Sequence, residues 1–220
     1  MVLGKSYLGE QSVNKVTYLS ALALLAVGAA PSANAITWDF SNFGAGDLGS
    51  YTKTFTAGGQ SITAYGSTMA LAHVDLWYKN DGSSEQGLGL ANDPQHEIIA
   101  GNFISLLMPT SFTRTYNLTL DSLQSPPASN PGETANIYEC TSATNTGCKL
   151  LASLTGPPVE KDVIVTLGAG FNYLEVTDAA GGGGANVLLE AISSVPEPAT
   201  LSLLGLGLAG VGFARRKRTS

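Results

Sequence analysis

Six oxygen-bearing side chains, Asn80, Asp81, Glu85, Asn92, Asp93 and Glu97, fall within residues 78–99 around the run Gly87-Leu88-Gly89-Leu90. Carboxylate and amide oxygens gathered on one loop are the donor set of calcium, a hard cation that takes oxygen ligands. Glu85, Asn92, Asp93 and Glu97 are the ligands this reading selects, and calcium is the one cofactor the sequence offers. The spacing is not that of an EF-hand: with Gly82 at the sixth loop position, Trp77 falls where the first ligand must stand. A solvated turn built on Asn80-Asp81-Gly82 accounts for the same residues without a metal.

Catalytic patterns are sparse. His73 and Asp75 stand two apart on an expected strand and so share a face, which would let the carboxylate orient an imidazole base, but no G-x-S-x-G elbow accompanies them. His96 precedes Glu97 without the second histidine of H-E-x-x-H. Carboxyl pairs for glycoside hydrolysis need only spatial proximity, so a secreted glycan-active hydrolase is the alternative to a noncatalytic protein. The G-x-G-x-x-G matches at 44–49 and 205–210 lack the strand-turn-helix setting that holds a pyrophosphate. Cys140 and Cys148 are the only cysteines, separated by a seven-residue polar loop, and in an exported chain they are expected to form a disulfide tying a hairpin.

The elements that must carry these residues read as β throughout. Short alternating or β-branched runs at 36–40, 51–55, 61–65, 71–78, 103–107, 113–120, 136–140, 150–154, 163–167, 173–176 and 187–192 are separated by Gly, Pro, Asn and Asp clusters. In 113–120, Tyr116, Leu118 and Leu120 share one face and Thr115, Asn117 and Thr119 the other, the mark of a half-buried strand. Residues 36–192 are therefore expected to form an all-β, two-sheet, jelly-roll-like sandwich. Trp38 and Trp77 are the aromatic candidates for sugar stacking, with a core position as the ordinary place for either.

Composition separates this domain from its flanks. Residues 36–198 carry 5 basic and 16 acidic residues, a net charge of −11, which excludes nucleic acid as a partner and favours divalent cations or neutral ligands such as glycans. Residues 1–35 have the layout of an export signal: Lys5 and Lys15, an apolar run at 18–30, and small residues Ala33 and Ala35 for signal peptidase. Residues 193–220 carry Pro196, Glu197 and Pro198, then an apolar run at 199–214 and the basic group Arg215, Arg216, Lys217 and Arg218. Such a run is read as a short transmembrane helix, with the basic tail holding its end in the cytoplasm.

The ordered series Pro-Glu-Pro, short Gly-rich apolar helix and basic tail resembles the PEP-CTERM proteins, substrates of bacterial exosortases. The resemblance covers about the last 26 residues. It implies recognition of Pro196, Glu197 and Pro198 by an exosortase after transient residence in the inner membrane, with delivery to the cell surface or the extracellular matrix. The two prolines deny the segment a helix, so it stays extended as a protease requires. The segment around Gly87 to Ile99 also resembles a GLG…EI stretch of other PEP-CTERM ectodomains. The resulting expectation is an exported, noncatalytic surface or matrix protein with signal peptidase and exosortase as processing partners and exopolysaccharide or calcium as ligands.

Overall fold

Alternating apolar and polar residues build thirteen strands among the described residues, in the order β1 (Thr37–Asp39), β2 (Gly46–Asp47), β3 (Thr52–Ala57), β4 (Gln60–Thr68), β5 (Leu76–Asn80), β6 (Gln86–Leu90), β7 (Asn102–Leu107), β8 (Thr115–Asp121), β9 (Thr134–Cys140), β10 (Lys149–Thr155), β11 (Lys161–Thr166), β12 (Tyr173–Asp178) and β13 (Leu188–Ser194). The computed structural model describes residues 35–82, 85–110, 114–123, 133–156, 160–179, 186–195 and 207–208. Ala33, the triplet Pro196, Glu197 and Pro198, and Arg215, Arg216, Lys217 and Arg218 lie outside them, as does the expected membrane run apart from Gly207 and Leu208. Among the described residues no helix is long and apolar enough to cross a membrane.

The strands form two antiparallel sheets, as the all-β sandwich reading expected. One is seven-stranded, in the order β11-β8-β13-β6-β5-β2, with β1 also paired to β13; the other is six-stranded, in the order β10-β9-β12-β7-β4-β3. Period-two patterning turns one face of each sheet inward. Leu118 and Leu120 of β8, Leu88 and Leu90 of β6, Ile104 and Leu106 of β7, and Leu174 and Val176 of β12 are fully buried in a single core. Each such aliphatic side chain contributes about 1.5–3 kcal/mol by leaving water. Tyr116, Leu118 and Leu120 occupy the inward face of β8, while Asn117 and Thr119 point to β11, where both donate to Asp162.

Two expectations about strands are corrected. The run Gly87-Leu88-Gly89-Leu90, read as the middle of a long loop, is strand β6, because Leu88 and Leu90 supply the inward alternation that the glycines obscure. The strand expected at 71–78 begins only at Leu76: Leu71 adopts a left-handed φ of 62°, and His73 makes a single bridge to Ser67. His73 stacks instead on Tyr51, with ring centroids 3.8 Å apart. Asp75 is exposed and its backbone carbonyl accepts from Ala91 N, so the orienting pair expected from the spacing has no strand to present it. Cys140 and Cys148 are joined in the expected disulfide.

Candidate functional site

The glycines of β6 explain how the loop after it reaches its place. Gly87 and Gly89 lie opposite Lys79 and Trp77 of β5 on the outer face of the seven-stranded sheet. A methyl group on Gly89 would collide with the His96 carbonyl oxygen, so the bare strand is the floor on which residues 91–97 fold back. Asp93 holds that fold-back, its Oδ2 accepting from Gln95 N at 2.9 Å and Glu97 N at 3.4 Å. The reversal puts His96 at a φ of 60°. His96 is thereby laid on Trp77, ring centroids 3.7 Å apart and 13° from parallel.

The same reversal delivers Glu97 to Lys79. Lys79 Nζ donates to Glu97 Oε1 at 2.5 Å and to Glu85 Oε2, and lies 3.7 Å from Asp81. Glu97 Oε1 also accepts from Ser122 Oγ at 2.9 Å, and Asp121 accepts from Gln86 N and Ser122 N. Burial works against the Lys79 charge, yet its hydrogen bonds to Glu85 and Glu97 outweigh that and hold its pKa above the usual lysine value. For Glu97 burial wins: its pKa is pushed up in spite of Lys79 and Ser122. Two carboxylates share one ammonium, and the more deeply buried acid carries the shortfall.

The four residues expected to hold calcium each have partners of their own in the structure. Glu85 and Glu97 converge on the Lys79 ammonium; Asp93 Oδ2 accepts from two backbone amides, and Asn92 Oδ1 accepts from Asn102 Nδ2 at 3.2 Å. Among the described residues the one grouping of three candidate metal ligands is Cys140, Cys148 and Glu175, whose sulfurs are already bonded to each other. What the loop builds is a cleft of about 490 Å³ whose lining includes Lys79 and Glu85 of that cluster together with Trp77, His96, Asn80 and Gln95. Trp77 is half-buried there, whereas Trp38 is in the core with its indole Nε1 directed at Gln60 O. The Trp77–His96 pairing had no local signal, since it depends on the fold-back; the alternate glycines of β6 were its only trace.

At the other end of the chain, residues 194–218 match the PEP-CTERM protein-sorting motif. The chain carries a PEP-CTERM sorting signal. That motif implies exosortase processing, so the sandwich is the ectodomain of an exported, surface-sorted protein. No curated protein matches the sequence. Among solved structures, the chain is similar to the K1 cleaved adhesin domain of Lys-gingipain from Porphyromonas gingivalis W83, at 12% identity over 75% of this chain and 99% of that one, with a TM-score of 0.37. It is also similar to a family 29 carbohydrate-binding module, at 12% identity over 74% of this chain and 91% of that one, with a TM-score of 0.33.

Proposed function

We propose that the PEP-CTERM ectodomain is a noncatalytic surface or matrix module that binds neutral glycan in the Trp77–His96 cleft. The observation that carries this reading is the aromatic wall of Trp77 and His96 set against the amides of Asn80 and Gln95 and the exposed carboxylate of Asp81. A sugar ring presents an apolar C–H face and a rim of hydroxyls, and these residues offer a partner to each. The net charge of −11 over residues 36–198 favours uncharged polysaccharide over anionic polymer. In this reading residues 1–35 are removed by signal peptidase and exosortase acts near Pro196, Glu197 and Pro198. Hydrolysis is the weaker reading because the Glu85 and Glu97 carboxylates are held by Lys79 rather than facing each other across the cleft.

The chain has two tryptophans, of which Trp38 is 3% exposed, so a ligand that stacks on Trp77 is reported by fluorescence from one residue. Titrating the detergent-solubilised full chain with neutral hexose oligosaccharides is expected to change its emission saturably. Trp77→Ala should weaken binding by about tenfold or more, the equivalent of roughly 1.4 kcal/mol. Unchanged emission together with no retention on neutral polysaccharide would remove the proposal, and equal affinity of the variant would move the site elsewhere.

A further inference from the structure

On the outer face of the six-stranded sheet, β7, β12 and β9 place Ser105, Glu175 and Tyr138 in one cross-strand row. An outward-facing glutamate on a strand is ordinarily solvated. Glu175 and Ser105 are instead fully buried, and Glu175 Oε1 and Ser105 Oγ have no hydrogen-bond partner among the described residues. Cys140, one step along β9 on the same face, closes the disulfide with Cys148. The loop between them turns at Asn145, whose Nδ2 donates to Met69 Sδ at 2.8 Å although β12 and β7 stand between β9 and β4. The disulfide-closed loop thus reaches across the face that holds Glu175.

Glu175 Oε2 lies 3.8 Å from Cys140 Sγ. A disulfide sulfur carries no hydrogen, so only a protonated Glu175 can donate across this contact. Tyr138 of β9, Tyr173 of its own strand and Tyr65 of β4 are the titratable side chains nearest along that face, with Ser105 opposite on β7 and with Tyr51 and its stacking partner His73 at the far edge beyond β4; residues 141–147 bring no charge. With no cation to oppose it, burial pushes the Glu175 carboxyl up to about 7.

We propose that Cys140–Cys148 is an exchange-active disulfide whose reductive opening by a dithiol uses Glu175 as proton donor. Cys140 is fully buried and Cys148 half-buried, so the incoming thiolate attacks Cys148 Sγ. The S–S electron pair leaves on Cys140 Sγ, which takes the Glu175 proton. The second thiolate of the dithiol then attacks the dithiol's own sulfur in the mixed disulfide; Cys148 leaves and is protonated by water. The protein disulfide gains two electrons and the dithiol becomes a disulfide. Opening the loop frees Asn145 from Met69 and uncovers the row beneath.

The test is the rate of reduction of the detergent-solubilised full chain by dithiothreitol, followed by alkylation and mass measurement across pH. An unassisted exchange tracks the thiolate fraction of the reductant. The wild type is expected to fall progressively below that line above about pH 7, as Glu175 loses its proton, and Glu175→Gln to be slower by about tenfold or more below it while following the line throughout. A wild-type rate that tracks the thiolate fraction to about pH 9, or a folded variant within about twofold of wild type, overturns the proposal. Should the variant fail to fold, the wild-type profile alone decides.

Discussion

The two sheets bury acids on their outer faces in opposite ways. On the seven-stranded sheet Glu97 is buried against Lys79, Ser122 and the loop that delivers it, and the ammonium stays charged. On the six-stranded sheet Glu175 is buried beside a disulfide with no ion-pair partner among the described residues, and burial drives the carboxyl toward its neutral form. A buried charge must be paired or must neutralise. The difference therefore assigns work to each face: the paired cluster is a rigid footing for the Trp77–His96 cleft, while the unpaired acid keeps a proton available near neutral pH.

The largest expected effect comes from breaking the pair. Lys79→Met removes the one ammonium shared by Glu85 and Glu97 and leaves buried carboxylate uncompensated, which costs about 3–5 kcal/mol. Thermal melting at neutral pH should show a drop of many degrees. Adding Glu97→Gln should recover much of it, because the second change removes the stranded charge; a double variant no more stable than Lys79→Met would mean that Lys79 acts through packing instead.

The unpaired face makes a smaller prediction with a definite sign. The folded pKa of Glu175 is raised from 4.5 to about 7, so between those values the native state holds more protons than the unfolded chain. Stability is then fullest below about pH 4.5 and declines as pH rises toward 7. Asp178 follows the same course, raised to about 7 by burial first and by repulsion from Glu133 second. Glu175→Gln fixes the neutral form: it should match the wild type near pH 5 and melt higher near pH 8, with Asp178 and Glu190, the latter also raised to about 7 chiefly by burial, leaving a residual slope. Parallel melting curves for the two proteins across that range would mean that Glu175 is solvated when folded.

How much of this was legible in the sequence follows from how local each feature is. The half-buried character of β8 was visible because Tyr116, Leu118 and Leu120 alternate within one strand, and the disulfide because an exported chain has two cysteines eight residues apart. Strand β6 was hidden by glycines that serve a loop arriving from beyond it. The Trp77–His96 stack joins residues on either side of that reversal, and Glu175 reads as an ordinary outward residue until the 141–147 loop reaches across its face. The calcium expectation counted oxygens along the chain, whereas the position of Lys79, six residues before Glu85 and between the Glu85 and Glu97 carboxylates, had no local signal.

The place Lys79 occupies makes the smallest effect the most informative about pairing. In the wild type a calcium ion entering between Glu85 and Glu97 must expel an ammonium that both already hydrogen-bond, and it must compete with the donors already held by Asp93 Oδ2 and Asn92 Oδ1. Millimolar calcium or a chelator should therefore move the wild-type melt by less than about 1 °C. In Lys79→Met the same two carboxylates lose their cation while Asp81 and Asp121 remain nearby, so calcium should stabilise the variant by several degrees where it leaves the wild type unmoved. A wild-type shift as large as that of the variant would mean that the loop releases Lys79 to admit the ion, and that the ammonium is a placeholder for calcium rather than its replacement.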